Sequence, residues 1–362
     1  MRADPVLKWL TIALVLMGFF ILTSASIGLT TKKELPSYYY FLRQFLSGGL
    51  VGLAALIFFA RTSYKKLKRF SLLIFIFGIL LTAAVFIPQI SFKYAGATRW
   101  IVLGPINFQP SELLKFGYIL YLAAWLSSKS KALPTFKYGF LPFLFITGLS
   151  AILLILQPDL GTLGVLVLSG LLLFLIAGGN KKHVLVLFLI CIASFYILVR
   201  LEPYRMERIL VFMNPEHDPQ GSGYQLRQSL IAIGSGGLFG RGFGMSMQKF
   251  QYLPEPVGDS IFSVASEEFG FIGSLSIIII FLAFAWRGLS IAAWSEDSFS
   301  RLSATGIVIL ILFQSFINIA ALTGLIPLTG IPLSFVSQGG SALAITLAEV
   351  GILLNISKTR KI

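Results

Sequence analysis

The chain has one cysteine, Cys191, so no disulfide can form within it; inside an apolar run it suits a small packed residue better than a redox site. Charge is also scarce. Asp, Glu, Lys and Arg make up 12% of 362 residues against 56% hydrophobic, outside the range of soluble globular proteins. Acidic residues are the rarer sign, 15 against 29 Lys and Arg. No Walker lysine pattern or dinucleotide-binding unit surrounds the glycines. No basic motif with interleaved aromatics supports nucleic-acid binding. The connections between apolar runs leave no room for a separate soluble domain.

What is present is apolar length. A spanning helix needs about 20 mainly apolar residues, and ten such spans are expected, beginning near Leu10, Phe41, Phe70, Ser111, Phe140, Leu163, Val184, Ile261, Leu302 and Ser341. The expected fold is therefore an all-α polytopic membrane protein, one domain over residues 1–362. Arg2 and Lys8 before an apolar stretch, with Ser24-Ala25-Ser26 after it, imitate a signal peptide. The run is long for a signal core and nine more spans follow, so it reads as an uncleaved first helix.

An even span count puts both termini on one side. There fall Arg2 and Lys8, the cluster Arg61, Lys65, Lys66, Lys68 and Arg69, then Lys129, Lys131, Lys137, Lys181, Lys182, Arg287, Arg301, Lys358, Arg360 and Lys361. The positive-inside rule makes that side cytoplasmic, in a membrane the chain crosses many times. The net charge of +14 is a topology signal and a contact for anionic membrane lipid. The long polar insert at residues 201–260, between the seventh and eighth spans, then faces outward. It carries Glu202, Glu207, Glu216, Asp218, Glu255 and Asp259 with Arg205, Arg208, Arg227, Arg241 and Lys249. A mere anchor has little use for so many ionisable groups; a protein acting on a charged, lipid-linked substrate does.

Two further outer segments carry polar groups. Gly96 to Lys115 includes Arg99, Trp100, Gln109, Glu112 and Lys115; Pro110-Ser111 marks a helix start, and Glu112 suits its positive end. Glu112 and Lys115 could simply pair across one turn, but a lysine inside a span is costly and marks a paired or functional site. In Gln157-Pro-Asp159-Leu-Gly-Thr162, Asp159 is most simply an N-cap, a role compatible with holding a cation. Within the insert, Tyr224–Ile233 is spaced like an interfacial helix. The glycine-rich run Gly234–Gly244 reads as a flexible turn rather than a phosphate cradle. Glu267 and Glu268, two turns into the eighth span, must find partners or line a wet cavity.

Taken in order, Gly223-Tyr224-Gln225, Gln228-Ser229-Leu230, Gln248-Lys249, Tyr252-Leu253-Pro254-Glu255, Asp259, Glu267-Glu268, Arg99-Trp100, Gln109-Pro-Ser-Glu-Leu, Gln157-Pro-Asp-Leu-Gly-Thr and Ser337-Gln-Gly-Gly-Ser341 resemble the SEDS family of polytopic cell-wall proteins. The resemblance covers essentially the whole chain. Asn214-Pro-Glu-His-Asp-Pro219, and Gln248-Lys249 before Tyr252, bring it nearer the division branch (FtsW) than the elongation branch (RodA). It implies polymerisation of peptidoglycan glycan strands from lipid II, with Asp259 as the key carboxylate. It also implies roles for Arg99, Trp100 and Lys115, and substrate contacts among Gln109, Glu112, Asp159, Arg227, Lys249, Glu255, Glu267, Glu268 and Ser337. A class B penicillin-binding transpeptidase and other divisome proteins are the implied partners. The chain departs from the family at Val257-Gly258 and Ser260, where His-Thr and Phe are usual, and at Gln338, where Tyr is common.

The groups available fit glycosyl transfer. A sugar hydroxyl needs a base to become nucleophilic, a part Asp259 can play. A departing diphosphate needs charge neutralisation, which Arg99, Lys115 or, in second rank, Arg205, Arg208, Arg227 and Arg241 can supply. Diphosphate and carboxylates are hard oxygen ligands suited to a divalent cation, Mg or Mn, though no ligand spacing marks a site. Two other classes stay open: a lipid II flippase lined by Lys115, Glu267, Glu268 and Glu349, and a non-enzymatic division scaffold.

Overall fold

Asp4 starts the first helix by accepting the Leu7 N–H at 2.9 Å, with Pro5 in the first helical position. The apolar run then carries α1 (Pro5–Ala25) into α2 (Ile27–Lys32). The computed structural model describes residues 3–94, 97–103, 106–201, 203–214, 218, 221–250 and 252–359. Glu202, Glu216, most of the 214–219 motif, Gly96, Gly104, Arg2, Arg360 and Lys361 lie outside the described residues. The chain continues through α3 (Tyr39–Gln44), a π-helical turn (Phe45–Leu50), α4 (Val51–Arg61) and α5 (Tyr64–Ala84). After a small sheet come α6 (Pro110–Ser128), a second π-helical turn (Phe136–Phe140), α7 (Leu141–Leu156), α8 (Leu160–Ile176) and α9 (Lys181–Leu201). The last elements are α10 (Pro203–Met213), α11 (Ser222–Ser235), α12 (Ile261–Ala293), α13 (Ser298–Leu322) and α14 (Gly340–Ile356).

Each of the ten expected span starts falls on helical residues. By length and composition, seven helical units among the described residues can cross a membrane: Pro5–Lys32, Tyr39–Arg61, Tyr64–Ala84, Phe136–Leu156, Ile261–Ala293, Ser298–Leu322 and Gly340–Thr359. α8 is apolar but shorter. α13 and α14 are the most enclosed, with 72% and 78% of their most apolar stretch buried, so they form the centre of the bundle.

Two expectations need correction. The fold is mostly helical but not all-α: residues 91–108 form an antiparallel sheet of β1 (Ser91–Tyr94), β2 (Ala97–Leu103) and β3 (Ile106–Phe108), pairing Ser91 with Ile101 and Ile101 with Phe108. Trp100, Ile101 and Val102 are the aromatic and β-branched types that a pleated surface favours. The insert is also not a loop, since α10 and α11 occupy much of it. Its glycine-rich run is held by packing rather than flexible. At Gly270 (φ 66°, ψ −163°) α12 breaks its own ladder. The freed groups pair with the run: Phe271 and Ile272 N–H donate to the carbonyls of Gly237 and Leu238 (2.8 and 3.1 Å), and Arg241 and Gly242 N–H donate to those of Glu267 and Glu268 (3.0 and 2.9 Å). A Cβ on Gly240 or Gly270 would overlap the facing backbone, so glycine is required there.

The bundle has two chemically distinct ends. At one, Arg287 holds the Asp4 carboxylate, the Asp4 N–H donates to Ser357 Oγ at 3.0 Å, and Asn355 and Lys358 donate to the Ala60 carbonyl (2.9 and 2.7 Å). Both ends of the described chain and the basic α4–α5 turn are gathered there. Asp259, Arg99, Asp159 and Gln109 lie at the other end.

Between α13 and α14, residues 323–339 turn back into the bundle without regular structure. Phe335 is buried against Phe284 (ring centroids 5.7 Å apart), and its carbonyl abuts Gly18 in α1. Backbone at membrane depth must be satisfied by protein. Side-chain amides do that here. Gln314 Nε2 donates to the Pro332 carbonyl (3.3 Å), Asn318 Nδ2 to that of Ile331 (2.7 Å) and Gln44 Nε2 to that of Ser337 (3.3 Å).

Candidate functional site around Asp259

Asp259 ends a tight turn that leads into α12. The Glu255 carbonyl accepts the N–H of Gly258 (3.0 Å) and of Ser260 (3.2 Å), with Glu255 itself in the left-handed region at φ 48°. Three successive carbonyls are then gripped from outside: Val257 by the Gln338 N–H (2.8 Å), Gly258 by Ser337 Oγ (2.7 Å) and Asp259 by Asn318 Nδ2 (2.7 Å). The anchors are carbonyls, not side chains. Val257 in place of histidine therefore leaves the turn's geometry intact.

The Asp259 carboxylate receives much less. Oδ2 accepts a long hydrogen bond from Gln225 Nε2 on α11 (3.4 Å), while Oδ1 is covered and has no partner among the described residues. Burial first, then the neighbouring Glu255 carboxylate, pushes Asp259 up to about 6; Gln225 and the Arg208 guanidinium work in the opposite direction. A carboxyl so tuned is ionised at neutral pH yet basic enough to take a proton.

The re-entrant residues 328–332, hereafter the strap, link this carboxylate to the other polar groups. Arg208 Nη1 donates to the Leu328 carbonyl at 2.8 Å. Gly330 (φ 69°) faces Asp259 Oδ2, and Gly161 packs against Thr329 and Ile331. Next to Gly161, Asp159 caps α8 through the Thr162 N–H (3.3 Å) and lies 3.9 Å from Arg99 Nη1. Arg99 also donates to the carbonyls of Gln157 and Pro158. Deeper in, Lys115 Nζ bonds Glu112 Oε1 at 2.9 Å and donates to Gln314 Oε1. Asp159 Oδ2, Thr329 Oγ1, Asn318 Oδ1 and Asp259 Oδ1 are buried without partners among the described residues. Other buried orphans are scattered through the bundle, but these four border one strap, where an incoming polar group could satisfy them together. An apolar cavity of about 360 Å³ runs along α12 from Phe262, one turn beyond Asp259, and is lined further by Ile233, Phe271, Leu275, Ile278 and Ile319.

The candidates thus separate into groups. Asp259 and Glu255 share the turn. Arg99, Asp159 and the Glu112–Lys115 pair reach it through the strap and its supports. Ser337 accepts the Leu333 N–H (2.8 Å) and holds the Gly258 carbonyl, a fastener's position. Gln109 contributes its N–H to Ser341 Oγ (3.3 Å); Trp100 on β2 pairs with Phe92 on β1; Arg227 is on α11 two residues past Gln225, on another side of the helix. Lys249, Glu267 and Glu268 are brought to each other rather than to Asp259. Lys249 Nζ bonds Glu268 Oε1 (2.7 Å) and Ser24 Oγ (2.9 Å), and Glu267 accepts from Ser246 Oγ (2.6 Å) and the Met247 and Gln248 N–H groups (3.1 and 3.2 Å). Both side chains of the Lys249–Glu268 pair are fully buried, which leaves no charge for a ligand.

Sequence reasoning passed over Gln44, Gln314, Asn318 and Gly330 and gave Gln225 no role. The signal for the amides was available: Gln44, Gln314 and Asn318 are polar residues inside apolar spans, where such groups mark function. Among the described residues, no three His, Cys, Asp or Glu are grouped to hold a metal. The described side chains by themselves do not form a ligand set for a protein-held cation.

Fold and site define an integral membrane protein of many helices whose polar chemistry is gathered at one end of the bundle around a re-entrant strap. The chain belongs to the FtsW/RodA/SpoVE family of cell cycle proteins, whose model matches residues 5–362. It is 41% identical over 355 residues to stage V sporulation protein E of Bacillus subtilis, covering 98% of this chain and 97% of that one. It is 38% identical over 360 residues to a probable peptidoglycan glycosyltransferase FtsW of Geobacter sulfurreducens, covering 99% and 96%. Among solved structures it resembles a chain of a peptidoglycan synthase complex that coordinates polymerization and crosslinking (TM-score 0.79, 28% identity, 99% of both chains). It also resembles the rod shape determining protein RodA of Thermus thermophilus (TM-score 0.73, 27% identity, 99% and 98%).

Proposed function

We propose that this protein is a peptidoglycan glycosyltransferase that polymerises glycan strands from lipid II at the outer face of the bacterial cytoplasmic membrane. The observation that carries the reading is Asp259: a carboxylate tuned to about 6, held by three gripped carbonyls but itself almost unbonded, facing a glycine-floored strap. In the reaction Asp259 removes the proton from a sugar hydroxyl of one substrate. That oxygen bonds to the anomeric carbon of the other as the bond to diphosphate breaks, and the diphosphate leaves as an anion. Arg208 and Arg99, both bordering the strap, neutralise it. Lys115 has a different part. Buried with Glu112 and Gln314, it supports the strap rather than touching diphosphate.

The apolar cavity beside Phe262 suits a polyprenyl tail that stays in lipid while headgroups meet above it. A divalent cation, Mg or Mn, would arrive with the diphosphate, since the described side chains do not supply a complete shell. In this reading α6, α8 and α9 also cross, which makes ten spans, and the basic end with both termini is cytoplasmic. The partner is a class B penicillin-binding transpeptidase, with other divisome proteins around it. The flippase reading needs Lys115, Glu267, Glu268 and Glu349 along an open path, whereas Lys115 is paired with Glu112, Glu267 and Glu268 are engaged with Ser246 and Lys249, and Glu349 is buried in α14.

The test is fluorescent lipid II supplied to the purified protein with and without its cognate transpeptidase. Wild type should make polymer, and Asp259→Ala should make none while inserting and folding normally. Full activity of that variant defeats the assignment.

A further inference from the structure

Resting on the reading of Asp259 as the base, we infer that Asn318 and Gln314 are positioning residues that set the strap, and with it Gly330, against the Asp259 carboxylate.

Asn318 uses both amide hydrogens of one side chain. One goes to the Asp259 carbonyl and one to the Ile331 carbonyl, each at 2.7 Å. It therefore ties the base's own backbone to the strap residue next to Gly330. Gln314 lies four residues earlier on α13, hence on the same helix face. It donates to the next strap carbonyl, Pro332 (3.3 Å), and accepts from Lys115 Nζ. Lys115 is in turn fixed by Glu112. Two amides on one face of α13 thus grip consecutive carbonyls, one joined to the base and the other to a buried ion pair.

The strap has no regular structure of its own, and Gly330 is in the left-handed region. Its register against Asp259 comes from these side chains. Asn318 also leaves its own Oδ1 buried without a partner among the described residues. The charged groups that face Asp259 are Glu255 on its own turn and Arg208 on α10; α13 and the strap present it with none. Loosening the strap at Ile331 and Pro332 admits water to Asp259, while the Arg208 bond to Leu328 at the strap's other end is touched by neither substitution.

The experiment compares Asn318→Leu, Asn318→Gln and Gln314→Leu with wild type and Asp259→Ala on fluorescent lipid II, measuring kcat, KM and rate against pH. A misplacement of about 1 Å costs on the order of 10²-fold. Asn318→Leu should lose about that much kcat with KM within threefold, and its acid limb should move from near pH 6 toward 4 as Asp259 gains water. Gln314→Leu should move the limb in the same direction by less, and Asn318→Gln, which keeps both donors, should recover most of the rate. A purely structural role lowers protein yield and Tm but leaves the limb in place. An unmoved limb in both leucine variants, with Asp259→Ala inactive, overturns the positioning role and leaves the base assignment standing. An active Asp259→Ala overturns both. If Asn318→Leu does not insert, Gln314→Leu alone decides.

Discussion

Replacing Asp259 with Asn should make the protein more stable, but only where the native carboxylate is ionised. Burial and Glu255 push this group from an ordinary 3.8 up to about 6, which corresponds to roughly 3 kcal/mol of preference for the protonated form. Because the folded protein holds the proton more tightly than the unfolded chain, Asp259 does not weaken the fold below about pH 4. The full penalty builds as pH rises through about 6 and stands above it. Asparagine keeps an acceptor for Gln225 and never ionises. Its NH₂ has no acceptor at the covered Oδ1 position, which costs about 1 kcal/mol. The net gain is about 2 kcal/mol at pH 8, a few degrees in Tm for a chain of this size; at pH 4 the ionisation penalty is nearly gone and the pH-independent cost of the amide leaves asparagine slightly destabilising, by less than about 1 kcal/mol. Thermal melts of purified wild type and Asp259→Asn in detergent at the two pH values measure it. An equal gain at both pH values, or none at pH 8, refutes the claim that Asp259 is a strained, buried base.

Two further predictions concern the parts that hold the site. Lys249→Met leaves Glu268 buried without its cation and should cost about 3–5 kcal/mol, seen as a lowered Tm, while adding Glu268→Leu should restore most of it. If the single variant melts like wild type, the Lys249–Glu268 brace is not structural. Gly270→Ala puts a side chain on a backbone conformation reserved for glycine, and its Cβ would overlap Gly240 and Leu238; a loss of more than about 3 kcal/mol is expected from strain and overlap together. Wild-type yield and Tm for that variant would contradict the docking of the glycine-rich run onto α12.

The sequence revealed what depends on local pattern. Apolar length located the helices, and basic clusters marked the end where Asp4, Arg287 and Lys358 meet. Pro110-Ser111-Glu112 announced α6, and Asp159 is the N-cap its position suggested. It did not reveal what depends on contacts far apart in the chain. The strap looks like an ordinary connection until Asn318, Gln314 and Gln44 are seen feeding its carbonyls. Depth in the span asks a partner or a wet cavity for Glu268, but nothing near it in sequence names Lys249 and Ser24 as the groups that folding brings to it. The glycines at 236–244 looked flexible because nothing near them in sequence reveals the break at Gly270 that they repair. The sheet at 91–108 is short, and its alternation is hidden between two apolar runs.

The most direct test of Asp259 as the base is the rate of lipid II polymerisation against pH, measured on the purified protein from about pH 4.5 to 8.5 at saturating substrate. The account predicts an acid limb with its midpoint near 6 in wild type and no measurable rate at any pH in Asp259→Ala. A profile flat through pH 6, or polymer made by the alanine variant, would contradict it.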